Sequence, residues 1–368
     1  MEGGIKMGGR WSRERINAWY DGHPWLIGCN YVPAITLHNI ELWQDDTREE
    51  VMISVDRELT LLRETRMNSI RMFMPFQAWY FERELFFKKL DELLLLLEKY
   101  EITLMPVLFN DCAPFERPSP VFPSQMGKGW QPYDIGHHGG KAENPFTGET
   151  RKTGWILFDE EEWREPQYKF AEEIISRYKK DPRIIIWDLW NEPGNSNRHA
   201  QSMEYMERVF EIAREIDPDQ PLTAAPWAYP EGFGISGEAQ LEPIQKRAVE
   251  LSDIITFHQY ENFDRVKQVV EELKKEGRPL VNTEWLNRIL GNNIRELLPY
   301  FYENRIGSYH WGLVAGKSQF YLPWDYLREV KGLDLSLWQH DLYHEDFTPY
   351  DEEEISLFIK YGGMEMRK

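Results

Sequence analysis

The stretch Ile184-Ile185-Ile186-Trp187-Asp188-Leu189-Trp190-Asn191-Glu192-Pro193 runs apolar for most of its length, turns polar at an Asn-Glu pair and is halted by proline. A continuous apolar run rich in β-branched and aromatic side chains reads as a strand buried on both faces of a parallel sheet. Such a strand, ending in a carboxylic acid, delivers that acid to the carboxyl edge of the sheet, where parallel barrels place their reactive groups. Pro279-Leu280-Val281-Asn282-Thr283-Glu284-Trp285 repeats the design, with a second glutamate at its end.

Outward from these two segments, strand-like and helix-like patterns alternate. Strands are predicted over 25–31, 69–74, 102–109, 184–190, 222–227, 254–260, 280–285 and 306–311. The helix from about residue 47 carries Met52, Val55, Leu59 and Leu62 at helical spacing, and the next has Phe86, Leu90, Leu93, Leu94 and Leu97 on one face. Further helices are expected over 160–180, 200–216, 241–251, 263–275, 293–304 and 351–361. Eight strand–helix units in series predict the α/β class and a (β/α)8 TIM barrel. An open doubly wound sheet is the competitor, but the unit count and the lack of a Gly-rich turn after the first strand weigh against it. One catalytic domain is expected over residues 1–368, with 1–10 peripheral or disordered. Long loops follow strands 3 and 8, at 110–159 and 312–350. Structureless segments of such length usually form lids or binding loops, and both leave from the reactive end of the barrel, so they should wall the cleft.

Composition sets the outer bounds. With 368 residues, 42% of them hydrophobic, the chain can bury a large core. A formal charge of −19 excludes nucleic acid and anionic membranes as partners, because both require a positive surface. The 15 Trp include many near strand ends or in long loops, where ring faces can stack on sugar C–H faces; about half are assigned to core packing. Cys29 and Cys112 form no disulfide framework and no zinc pattern and are expected to be buried free thiols. The start of the chain has no apolar signal core, and the run at 93–97 is too short to span a bilayer, which leads to an expected cytoplasmic location.

Two glutamates on strand ends suit sugar chemistry. Retaining glycoside hydrolysis needs two carboxyl groups roughly 5–5.5 Å apart, one as acid then base and one as nucleophile. A rim charge is the alternative for either glutamate alone. Asn191 can hydrogen-bond a substrate hydroxyl beside the reacting carbon. Arg71, inside an apolar strand, is poorly explained as a surface salt-bridging residue. His258 and Tyr260 alternate, which puts both on the inner face of the sixth strand.

Asn191-Glu192-Pro193, Phe257-His258-Gln259-Tyr260, Thr283-Glu284 and Tyr309-His310-Trp311-Gly312 together resemble the strand-four, -six, -seven and -eight signatures of clan A glycoside hydrolases, family 5 in particular. The resemblance implies that Glu192 is the acid/base and Glu284 the nucleophile. It further implies that Arg71 keeps the nucleophile ionised, that Tyr260 touches it, that His258 lies near the acid/base or the sugar, and that Trp311 is an aromatic platform beneath the sugar. The chain departs from the family at Phe109-Asn110-Asp111-Cys112, where many members carry a His. Asn110 or Asp111 is expected to take over that hydroxyl contact, with turn capping the alternative for Asp111. Lys317 is placed either in the cleft or on the surface. His137 and His138 read as a solvated or sugar-contacting loop and not as a metal site, since no carboxylate or Cys stands at ligand spacing. Trp338-Gln339-His340-Asp341 and Thr348-Pro349-Tyr350 look like the closing segment of a branch containing intracellular exo-acting β-mannosidases.

The expectation is a retaining β-glycosidase without metal or organic cofactor. Its substrate is an oligosaccharide or short β-glycoside, first of all a β-mannoside such as mannosyl-β-1,4-N-acetylglucosamine cut from its non-reducing end. An endo-acting glucanase, mannanase or xylanase is the alternative within the class, and a non-catalytic carbohydrate-binding barrel or a metal-dependent hydrolase the alternatives outside it. Dialysis against a chelator is expected to leave hydrolysis of an aryl β-glycoside unchanged. A loss restored by added metal would move the chain to the metal-dependent class.

Overall fold

Parallel pairing of short, almost wholly buried strands organises the chain. In the computed structural model, which describes residues 9–37, 39–112, 128–130, 153–227 and 241–364, these are β1 (Ile27–Asn30), β2 (Ser69–Phe73), β3 (Thr103–Asn110), β4 (Trp187–Asn191), β5 (Leu222–Ala225), β6 (Ile255–His258), β7 (Leu280–Trp285) and β8 (Gly307–Trp311). They form one eight-stranded sheet in the order β5-β4-β3-β2-β1-β8-β7-β6. At the seam between β5 and β6, Asp253 N–H donates to Leu222 O at 2.8 Å and His258 N–H to Pro226 O at 3.0 Å. The predicted barrel is therefore the observed one.

Nine α-helices among the described residues surround the strands: α1 (Arg13–Asp21), α2 (Arg48–Glu64), α3 (Phe76–Lys99), α4 (Glu161–Tyr178), α5 (Met203–Ile216), α6 (Pro243–Leu251), α7 (Phe263–Lys274), α8 (Ile294–Glu303) and α9 (Glu352–Gly362). Their inner faces follow the helical period. On α5, Met206, Val209, Phe210 and Ala213 are buried, and on α7, Val266, Val269, Val270 and Leu273. Starts are set by side chains that accept orphan backbone N–H groups: Asn262 from Arg265, Asn293 from Glu296, and Asp351 from Glu353 and Glu354. Among the described residues no helix is long and apolar enough to cross a membrane.

The sequence reading did not anticipate α1. With only Ile16 and Tyr20 buried in nine residues, its apolar signal is faint. Together with Trp11, these two pack against Leu26, Met105, Ile185, Ile186, Ile254, Val281 and Tyr309, most of them at or just before strand starts. The helix thus plugs the amino-terminal end of the barrel. The same packing explains why β4 begins only at Trp187: Ile185 and Ile186 belong to the plug, and Ile184 reaches β3 through one isolated bridge to Leu104.

Residues 312–350 are not the structureless loop that was expected. Arg288, between β7 and α8, is buried and donates to the carbonyls of Trp338, His340 and Asp341 while pairing with Glu354 of α9 at 2.6 Å. Ala315 N–H donates to Tyr343 O at 2.8 Å and Gln339 N–H to Tyr321 O at 2.9 Å, so the segment is tied along its length. Of the other long loop, most residues, including His137 and His138, lie outside the described residues. Both cysteines are free, but only Cys29, within β1, is buried; Cys112 lies beyond the end of β3, at the rim, and is exposed.

Ile16 is fully buried beneath the barrel. Ile16→Ala is expected to lower unfolding free energy by about 2–5 kcal/mol, read from denaturant unfolding. A change near zero would show that α1 does not seal the core.

Candidate active site

The site is assembled around Arg71. In β2, Ile70 and Met72 join the outer core, and the alternation of the strand sends Arg71 inward, where it is 0% exposed. A guanidinium carries five N–H donors on three nitrogens, and every one of the three nitrogens has a partner here. Nε and Nη2 reach Asp188 Oδ2 at 2.9 and 2.8 Å. Nη1 donates to Asn30 Oδ1 and Glu284 Oε1, both at 2.7 Å, and Nη2 to Asn191 Oδ1 at 2.5 Å. Burial alone would lower the guanidinium's pKa, but Asp188 and Glu284 outweigh it and leave it raised.

Glu284 stands near the end of β7 and is 4% exposed. Its Oε1 takes the Arg71 bond, and its Oε2 accepts from Tyr260 Oη at 2.8 Å. Glu192 follows β4 directly and is 7% exposed. Its φ of +48° lies in the left-handed region, which costs a non-glycine residue about 1 kcal/mol. Pro193 and Gly194 complete the turn; Gly194 has φ +84°, and a Cβ there would meet Ile244 Cγ2 at 2.7 Å and His199 O at 2.9 Å. Burial pushes the Glu192 carboxyl up to about 7, against smaller opposing effects from the Asn195 side chain, the Arg71 charge and the Cys112 thiol.

His258 closes the set. Its Nδ1 lies 2.8 Å from Glu192 Oε1 and 3.3 Å from Glu284 Oε2. Burial pushes its pKa down to about 4, so the ring is neutral at pH 7. One oxygen of each glutamate and a His258 ring nitrogen all lie within 4.8 Å of one another. Such a triplet has the spacing to embrace a divalent ion. The fixed Arg71 charge and the donors already on both Glu284 oxygens oppose that use.

The remaining predicted residues fall into place unevenly. Asn191 has its oxygen on Arg71 and donates from Nδ2 to Asn110 Oδ1 at 2.8 Å. Asn110 is itself turned by the backbone of Cys112, with bonds of 2.8 and 2.9 Å. Asp111, one residue on, faces the opposite way. It is fully buried, with Gly194 N–H at 2.7 Å, Ser202 Oγ at 2.8 Å and Arg198 Nε at 3.3 Å on its oxygens. Burial raises its pKa to about 6. Its place is that of a brace for the turn after β4, which corrects the expected sugar contact. Tyr260 lies past the end of β6 and not within it, because the register slips between Phe257 and His258. Trp324 meets its ring edge-on at 4.9 Å and His340 lies 5.7 Å away, so the segment after β8 does wall this side.

Trp311, last in β8, is half-buried between Phe73 and Phe320, at 6.4 and 4.9 Å. The Lys317 ammonium sits 4.2 Å over the Trp130 ring and forms no ion pair with the glutamates among the described residues. Sequence reasoning missed Asn30, Asp188, Asn195 and Cys112. A signal existed for Asp188, a charge inside the apolar run that ends at Glu192.

Comparison with known proteins gives a family similarity over part of the chain and a fold. Residues 143–313 match the model of cellulase, glycosyl hydrolase family 5. A β-glucuronidase of Paenibacillus borealis is 30% identical over 59 residues, 16% of this chain and 10% of that protein. Among solved structures, an exo-β-1,4-mannosidase from Opitutaceae bacterium strain TAV5 superposes with TM-score 0.56 at 17% identity, covering 92% of this chain and 59% of that one. An endo-β-1,4-mannanase from Thermotoga petrophila does so with TM-score 0.54 at 14% identity, covering 95% and 80%. The chain thus spans a tenth of the glucuronidase and under two thirds of the exo-mannosidase, and at these identities the superpositions speak for the barrel alone. The family match lies across β4 to β8, where both strand-end glutamates stand, so over this part of the barrel the chain is similar to glycosyl hydrolase family 5.

Proposed function

We propose that the protein is a retaining β-glycoside hydrolase that works by double displacement, with Glu284 as nucleophile and Glu192 as acid/base. What supports this most is the short gap between the two carboxyl groups, with one oxygen of each within 4.8 Å. Inverting enzymes keep their carboxyl groups roughly 6.5–9.5 Å apart to admit a water, whereas retaining ones need about 5–5.5 Å.

The chemistry follows from the two environments. Arg71 and Tyr260 aim donors at opposite oxygens of Glu284 and so orient its carboxylate toward the anomeric carbon. Glu192, raised to about 7, holds a proton near neutrality and passes it to the leaving oxygen. Once Glu284 carries the sugar, Glu192 has lost its proton and takes one from water, which then attacks the same carbon, breaks its bond to Glu284 and frees the carboxylate. Asn191, locked by Arg71 and Asn110, offers its amide to the hydroxyl beside the reacting carbon. Trp311 lies under the sugar.

For the substrate we favour a short β-mannoside opened from its non-reducing end, such as mannosyl-β-1,4-N-acetylglucosamine. The tied segment after β8, with Trp324 and His340 against Tyr260, narrows one side of the cleft, which suits exo action. Incubation with mannobiosides and with long mannan, glucan and xylan is expected to release monosaccharide from the former. Internal cleavage of polymer without monosaccharide would overturn the exo assignment.

The first-formed sugar, followed by proton NMR, is expected to be the β anomer, and an α product would exclude retention. Glu284→Ala is expected to lower kcat/KM on an aryl β-glycoside by at least about a thousandfold. Because the acid must be protonated in the free enzyme, kcat/KM should fall as pH rises through about 7. Glu192→Gln should abolish that alkaline limb; a limb that persists unchanged in this variant would assign the acid elsewhere.

A further inference from the structure

Asp188 belongs to none of the catalytic roles described so far, yet it is a carboxylate as fully buried as Arg71 itself. It sits on β4, is 0% exposed, and its Oδ2 accepts from Arg71 Nε at 2.9 Å and pairs with Nη2 at 2.8 Å. Its other oxygen, Oδ1, is buried with no hydrogen-bond partner among the described residues. A neutral amide would satisfy the same two Arg71 donors through its oxygen. Taking a carboxylate out of water costs several kcal/mol, and the geometry of the two bonds does not require that charge. The negative charge itself is therefore the feature that needs a role.

The surrounding charges supply one. Facing the site are Arg71 from β2, Cys112 after β3, Asp188 and Glu192 from β4, His258 and Tyr260 from β6 and its end, Glu284 from β7 and Tyr309 from β8. Burial keeps the Tyr260 and Tyr309 hydroxyls protonated and the His258 ring neutral, and the Cys112 thiol, which meets Glu192 although the residue as a whole is exposed at the rim, stays protonated as well. Asp111 faces away, toward Arg198. Arg71 is thus the one fixed positive charge among these groups, and it pulls on every acid near it.

Resting on the retaining-hydrolase reading, we propose that Asp188 is a positioning residue that fixes the Arg71 guanidinium and offsets its charge, so that Arg71 orients Glu284 without drawing the proton from Glu192. The Arg71 charge already opposes protonation of Glu192. Without Asp188 that opposition strengthens, and Arg71 grips Glu284 harder, which slows its attack on carbon. Asp188 touches no substrate and acts through Arg71 alone.

The test is Asp188→Asn, close in size and able to keep both Arg71 bonds, beside Asp188→Glu, which keeps the charge. The alkaline limb of kcat/KM on an aryl β-glycoside should move down by about one pH unit in D188N and stay in place in D188E. A carbon-13 NMR titration of glutamate-labelled protein, with Glu192→Gln for assignment, should show the same shift at Glu192 without any turnover. If D188N does not fold, the smaller neutral Asp188→Ser carries the same comparison. A neutral variant that loses rate while limb and titration stay unmoved would reduce Asp188 to packing and overturn the proposal, as would equal shifts in D188N and D188E. If the parent hydrolysed no glycoside at all, the functional reading would fall, while the titration would still decide the role of Asp188.

Discussion

A guanidinium buried inside a barrel is tolerable only if all of its donors are met, since an uncompensated buried charge costs several kcal/mol. Arg71 meets that condition with partners drawn from β1, β4 and β7, which no local stretch of chain can supply. Closure of the sheet and assembly of the site are therefore one event. The residues that complete the Arg71 coordination, Asn191 and Glu284 among them, are also the ones proposed to meet a substrate. The cation does structural and electrostatic work from a single position.

Around it, two glutamates of the same chemical type are driven apart by environment. Glu284 accepts two strong donors, one of them charged. Glu192 is buried on the other side of a neutral imidazole, with an amide and a thiol as its other neighbours, and burial dominates. Two carboxyl groups held in such different surroundings suit the acid and nucleophile roles proposed for them. His258, neutral and bridging both, keeps them close without contributing a charge of its own.

Much of this was legible in the sequence, for identifiable reasons. Strands buried on both faces write continuous apolar runs, so the eight units and the residues at their ends could be read directly. The positions of Glu192, Glu284 and Arg71 follow from that register. Where the chain leaves regular structure the reading fails. Asp111 was offered as a sugar contact because one residue of strand alternation past Asn110 reverses its face, and the end of β3 could not be located to one residue. Tyr260 was put within β6 since a register slip leaves no mark in composition. The plug helix α1 hides behind two buried side chains in nine residues. Asp188 was visible, but its meaning depends on a partner more than a hundred positions away.

The bolt made by Arg288 has a consequence for how the cleft can adapt. By gripping three successive-turn carbonyls near residues 338–341 and the Glu354 carboxylate at once, it joins the far end of the wall after β8 to the last helix. The face bearing Trp324 and His340 is consequently already ordered before any ligand arrives, and little conformational entropy remains there to be lost on binding. Any adaptation of the cleft to ligands of different shape must then come from outside this face, which acts as a stationary jaw.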